Sequence, residues 1–262
     1  MRDLTNAVWI ELRKATRSRV PLITALGSLI VPLAGAFLMF VYKYPALARQ
    51  IGLISAKANL AGGTANWPSY LGVLTQGIAV GGIILFSLIV SWVVGREFAD
   101  GTLKDLLAVP VSRATMLLAK FLVVALWSLL LTVMIAFVSL LLGAAIGLPQ
   151  GSTGLFFHGT ATLAITACMV IVDAFPVAFF ASVGRGYLLP IGIAALGLVL
   201  TNLIVFAGWG SYFPWSVPAL YAGYVGSKGA NLEPISYLIV LITGLVGMVG
   251  TSLWWNFADQ NR

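Results

Sequence analysis

Six runs of the chain are apolar almost without interruption: residues 20–42, 71–94, 114–146, 160–183, 187–209 and 235–255. A helix that crosses a bilayer needs about 20 mostly apolar residues, so the pattern predicts six membrane-spanning helices. The third run exceeds what a simple crossing requires and is expected to tilt or to project beyond the bilayer. Ahead of the first run, Leu4, Val8, Leu12 and Ala15 share one helical stripe while Arg13, Lys14 and Arg17 face away from it. Residues 2–19 therefore read as a basic amphipathic helix lying in the membrane interface, or as a simple anchor that fixes orientation.

Between the runs the pattern changes character. After Pro45, a good first-turn residue, Leu47, Ile51, Ile54 and Ala58 recur at helical spacing up to Gly62-Gly63. Gly184-Arg185-Gly186 is so short a connection that the fourth and fifth runs form an antiparallel hairpin. Residues 210–234 are aromatic and broken by Pro214 and Pro218, too apolar for a free loop and too interrupted for a span. They read as one or two short helices dipping into the outer leaflet, which is tolerated only where other helices cover them. The pairs Gly77/Gly81 and Gly143/Gly147 are small-residue patches that let helices approach closely. No linker separates a second domain, so residues 1–262 are expected to form a single transmembrane domain.

Composition agrees with this picture. Of 262 residues, 60% are hydrophobic and 9% charged, with mean hydropathy +1.01, which excludes a soluble globular domain. The basic start leads straight into a full-length span, so no cleavable signal is expected. The net charge is +7, but its distribution argues against nucleic acid. With the N-terminus inside, eleven cations (Arg2, Arg13, Lys14, Arg17, Arg19, Arg96, Lys104, Arg113, Lys120, Arg185 and Arg262) fall on the cytosolic side. Four (Lys43, Arg49, Lys57 and Lys228) fall outside. That bias places both termini in the cytosol of a multi-pass cell-membrane protein. Cys168 is the one cysteine, read as a buried small residue in the fourth span.

The densest charge lies at residues 95–113, GREFADGTLKDLLAVPVSR. Arg96-Glu97-Phe98 extends the second span by about one turn; Asp100-Gly101 reads as a turn and Thr102 as an N-cap. Leu103, Leu106 and Leu107 share one face of a short helix ended by Pro110, and Ser112 caps the third span. An exposed short helix with apolar knobs and a charged rim is a docking device; the alternative is a loop whose leucines pack on neighbouring spans. Glu97 and Arg113 flank it and are expected to pair with each other or with the partner. Elsewhere, Asp173 is an acid deep in the fourth span, either a hydrogen-bonded structural residue or part of a translocation path. Asn202 in the fifth span is a milder case. Lys120, near the inner end of the third span, is expected to snorkel. No phosphate-binding GxxxxGK[ST] motif occurs, since Gly226-Ser227-Lys228 lacks the upstream glycine. His158, the one histidine, is read in an outer loop, so a histidine-based metal site is not available.

The charged segment closely resembles the cytoplasmic loop between the second and third spans of bacterial ABC type-2 permeases. Glu97, Gly101, Thr102, Leu103, Leu107, Pro110, Ser112 and Arg113 match that pattern position by position. The resemblance implies an all-α, type V exporter-like permease whose coupling helix docks on a separate cytosolic ATP-binding subunit, present in two copies. Glu97, Asp100, Gly101, Thr102, Leu103, Leu106, Leu107 and Arg113 would then form the coupling site. It also implies a second permease copy, identical or homologous, and no catalytic residue or cofactor in this chain, since ATP and Mg would be held by the partner. Its cargo would be an amphipathic peptide, a drug or a lipid-like molecule. The rival expectation is a non-transporting sensor or immunity scaffold that sequesters a lipid or peptide.

Overall fold

The computed structural model describes residues 2–53, 63–102, 109–149, 151–224 and 232–257. Among them the structure is helical throughout, with no strand. Helix α1 (Arg2–Thr16) precedes a first span that is broken at Leu29 into α2 (Val20–Ser28) and α3 (Ile30–Lys43). A short α4 (Pro45–Gln50) follows, then the second and third spans, α5 (Trp67–Ala99) and α6 (Arg113–Ile146). The fourth span is α7 (Thr153–Ala174) continued by α8 (Val177–Val183); the fifth is α9 (Leu188–Phe206). Two 3-10 turns and α10 (Val217–Tyr221) lead to the sixth span, α11 (Pro234–Phe257). All six are long and apolar enough to cross a membrane.

Local chemistry sets the helix ends. Asn66, Ser112 and Ser152 each accept a hydrogen bond from the backbone N–H three residues on, starting α5, α6 and α7. The cap on α6 is the one expected of Ser112. The fourth span breaks at Phe175-Pro176, where proline has no N–H to continue the ladder. Gly101, at φ +69°, turns the chain after α5 in the left-handed region, as the Asp100-Gly101 reading expects.

Helix α5 is the centre of the bundle, packed against α6, α7, α8, α9 and α3. Phe86, Val90 and Val94 of α5 are fully buried with Leu117 and Val124 of α6 and Val170 and Ala178 of the fourth span. Glycines permit the tightest crossings. A Cβ at Gly247 would come within 2.5 Å of the Pro176 backbone, so α11 lies directly against the break in the fourth span. At Gly95 it would come within 2.8 Å of the Gly186 carbonyl, holding the end of α5 against the hairpin that joins the fourth and fifth spans. Gly77 faces Val31 and Gly143 receives the Trp67 ring, whereas Gly147 is a left-handed helix terminator at φ +67°. The second small-residue patch therefore divides into one packing glycine and one capping glycine.

Residues 210–224 fold into the bundle. Gly210, Ser216, Val217 and Ala219 are buried. The Trp215 ring lies against Gly197, near the middle of α9, where any Cβ would clash. Val217 packs with Met169 and Val240.

Several expectations change. The second span is as long as the third, 33 against 34 residues, and the fourth begins at Thr153, which places His158 on a helix. Cys168 is exposed on α7; a small apolar side chain needs no protein cover on a face that lipid can wet. Pro45 does open a helix, but Ile54 and Ala58 lie outside the described residues. Helix α1 packs on α6. Ala15 is buried and Leu4, Val8 and Leu12 are half-buried, while Trp9 and Ile10 are the exposed apolar residues. The predicted apolar stripe thus faces protein, and Ala15 joins the buried core cluster that also contains Val90 and Val94.

Candidate functional site

Four charged side chains from three helices meet at one end of the bundle. Lys14 donates to Glu11 (2.9 Å) and to Glu97 (2.8 Å). Lys120 donates to Glu11 (3.1 Å) and to Glu97 (2.9 Å), closing a ring of alternating sign. Its third proton goes to the Val93 carbonyl at 3.0 Å, so the ammonium is fully satisfied. The second Glu97 oxygen accepts from the Thr102 hydroxyl at 2.7 Å.

The ring is neutral, and three of its members are shielded from water: Lys120 is 0%, Glu97 3% and Glu11 8% exposed, while the Lys14 side chain is half-buried at its rim. Burying an ion costs several kcal/mol unless partners replace its water, and here every charge has two opposite partners. At Lys14 burial works against the charged form, but Glu11 and Glu97 outweigh it and raise its pKa above the usual lysine value. The ring locks α1, the end of α5 and the start of α6 together.

Two expectations are corrected by this geometry. Lys120 does not snorkel, because two carboxylates and a carbonyl meet it where it stands. Glu97 and Arg113 do not pair. Arg113 donates to the backbone carbonyls of Trp255 and Asn256 at the end of α11, where the unsatisfied C=O groups and the helix dipole favour a cation. Lys43 does the same at the other end of the bundle, donating to the carbonyls of Ile146 and Gly147.

Of the expected coupling residues, Glu97, Asp100, Gly101, Thr102 and Arg113 are described. Asp100 pairs with Arg96 at 3.1 Å, and the Arg96 guanidinium lies over the Trp92 ring at 5.1 Å. Leu103, Leu106 and Leu107 lie outside the described residues, as does any helix that Thr102 would cap. Thr102 and Arg113, which bracket that stretch, are each tied to a spanning helix. Glu11, Lys14 and Lys120 were not read as members of one site. The available signal was a lone cation in a long apolar run, which needs a counter-ion, and the few acids near helix ends that could supply it.

The two path candidates differ in their surroundings. Asp173 is 0% exposed, and both carboxyl oxygens are without a hydrogen-bond partner among the described residues. Its backbone carbonyl accepts from the Trp215 indole at 2.9 Å. Asn202 is exposed, donates to the Leu198 carbonyl at 2.9 Å, and lines a 170 Å³ crevice that Trp215 also borders. Among the described residues, no group of three or more His, Cys, Asp or Glu side chains is placed to hold a metal ion.

Residues 7–201 match the model of a family described as ABC-2 family transporter protein. The chain is also similar to the bacitracin transport permease protein BCRB of Bacillus licheniformis. The two are 27% identical over 181 residues, 68% of this chain and 85% of that protein. The family match contains all four residues of the charged ring, together with Thr102 and Arg113. A family match across most of the chain, six apolar helices and a multi-pass membrane setting agree: the chain belongs to the ABC-2 family of transporter proteins, as a membrane permease subunit.

Proposed function

We propose that this permease forms the translocation path of an ATP-driven exporter and couples it to a separate ATP-binding subunit through residues 95–113. The observation that carries the reading is the anchoring of that segment on both sides. Glu97 holds Thr102 while itself held by Lys14 and Lys120, and Arg113 grips the end of α11. A force arriving at Thr102 or Arg113 would therefore reach α1, α5, α6 and α11 through these bonds. Packed elements with two discrete arrangements can convert such a force into alternating access.

In this reading Leu103, Leu106 and Leu107 enter a pocket on the ATP-binding subunit. Glu97, Gly101 and Thr102 set the angle of the segment, and Asp100 belongs to its rim. The charged ring faces the cytosol, in accord with the eleven-to-four bias of cations, and both termini are inside. Two permeases, identical or homologous, enclose one path and work with two ATP-binding subunits, which hold ATP and Mg. The buried segment around Trp215 is a re-entrant element closing the outer side, and Asn202 and Asp173 border the path. The bacitracin permease relative favours an amphipathic peptide as cargo.

The test is reconstitution of the permease with its candidate ATP-binding subunit in lipid nanodiscs, with ATP hydrolysis measured against amphipathic peptides. Cargo-stimulated hydrolysis by a stable complex is expected. A permease that sequesters peptide but forms no complex with any ATP-binding subunit would replace the exporter with a scaffold.

A further inference from the structure

Beside the charged ring, a separate cleft of about 530 Å³ opens between α1 and the end of α5. Arg13, Arg17 and Arg96 line it, with the aromatic rings of Trp9, Trp92 and Tyr187. Its charge does not balance. Lys14 on its wall is neutralised by Glu11 and Glu97, and Arg96 by Asp100. Arg13 in the last turn of α1 and Arg17 in the turn that follows it are exposed, and their guanidiniums have no acidic partner among the described residues. Two like charges lining one cleft repel each other unless an anion neutralises them.

We infer that this cleft holds the phosphate of an anionic membrane lipid, with Arg13 and Arg17 as its ligands and Arg96 at the back of the site. Guanidinium forks match phosphate oxygens in pairs. Three observations favour a lipid over a soluble phosphate. The cleft lies where the first span begins and the second ends. Its aromatic rings are of the kind that gathers at membrane boundaries. Exposed apolar side chains offer a surface for acyl chains: Trp9 (65%) and Ile10 (52%) on the wall of the cleft, and Leu22 and Ile23 at the start of the first span. Because Arg96 and Asp100 stand at the root of the 95–113 segment, a bound lipid would steady that root.

The test uses the full chain, purified in detergent, and makes no use of transport, so its failure is distinct from failure of the exporter reading. Native mass spectrometry reads retention of phosphatidylglycerol against phosphatidylcholine, and inorganic phosphate is titrated as the soluble competitor. The variants are Arg13→Gln with Arg17→Gln, and Arg19→Gln as a control of exposed charge outside the cleft. Two lost cations near a headgroup should weaken phosphatidylglycerol binding about thirtyfold. Wild type and the Arg19 variant should retain it, and millimolar phosphate should not displace it. Equal retention by the double variant, no preference over phosphatidylcholine, or displacement by inorganic phosphate would each overturn the lipid assignment. Arg13 and Arg17 have exposed side chains, so the double variant should fold, with an unchanged melting temperature as the check.

Discussion

Replacing Lys120 by methionine removes the one ring member that is wholly buried. Its ammonium makes three bonds, to Glu11, Glu97 and the Val93 carbonyl. Without it two carboxylates, 8% and 3% exposed, share Lys14 alone. Breaking a buried charge pair from one side costs about 3–5 kcal/mol. That loss falls on the docking of α1, which carries Glu11 and Lys14. At about 1.4 kcal/mol per tenfold, opening of α1 should become about two to three and a half powers of ten more frequent. Cysteine at position 15, in a Cys168→Ala background, reports it, because Ala15 is 4% exposed in the closed state. Its labelling by a water-soluble maleimide should accelerate by that factor, up to the rate of a fully exposed thiol. Adding Glu11→Gln should recover much of the loss, since Glu97 and Lys14 then remain as a matched pair 2.8 Å apart. Acceleration of less than about fivefold, equivalent to roughly 1 kcal/mol, or no recovery in the double variant, would refute the ring as the lock on α1.

Three further outcomes follow from the same geometry. Lys14 has a raised pKa, so its contribution is complete below the ordinary lysine value of 10.5 and is lost as pH climbs through the folded value. The melting temperature should be level through neutral pH and fall above 10.5, with a shallower fall in Lys14→Gln; equal falls would remove Lys14 from the explanation. Asp173→Asn sacrifices no hydrogen bond of the carboxyl oxygens, since both are without a partner among the described residues. It should melt no lower than wild type, a clear drop would reveal a carboxylate partner, and loss of cargo-stimulated hydrolysis at unchanged melting would put Asp173 on the path. Single cysteines at positions 60 and 230 should react with an impermeant reagent on intact cells while one at 105 should not; labelling at 105 would invert the orientation.

The spans were legible because each is a long apolar run, and the caps at Ser112 and Gly101 because their local chemistry is sufficient. The ring was not, because it joins residues as far apart as Glu11 and Lys120, and nothing in local pattern says which acid answers a lone lysine. Arg113 is expected to pair with Glu97 or with the partner because both acid and base flank one segment, but the nearer demand comes from carbonyls at the end of α11. Cys168 and the stripe on α1 were misread for a related reason. In a membrane an apolar side chain gains little by choosing protein over lipid, so hydrophobicity alone does not say which face is inside.

The central claim is that residues 95–113 carry force between an ATP-binding subunit and the spans, and the double change Leu103→Ala with Leu107→Ala addresses it most directly. Buried apolar anchors at a protein interface each cost about 2 kcal/mol or more when truncated. Affinity for the ATP-binding subunit and the melting temperature of the isolated permease should be measured on this one variant. The expected result is a permease that melts as wild type does but loses most of its hold on the partner and its cargo-stimulated ATP hydrolysis. Full partner binding with a large fall in melting temperature would mean that these leucines pack on the permease itself, and would contradict the coupling role.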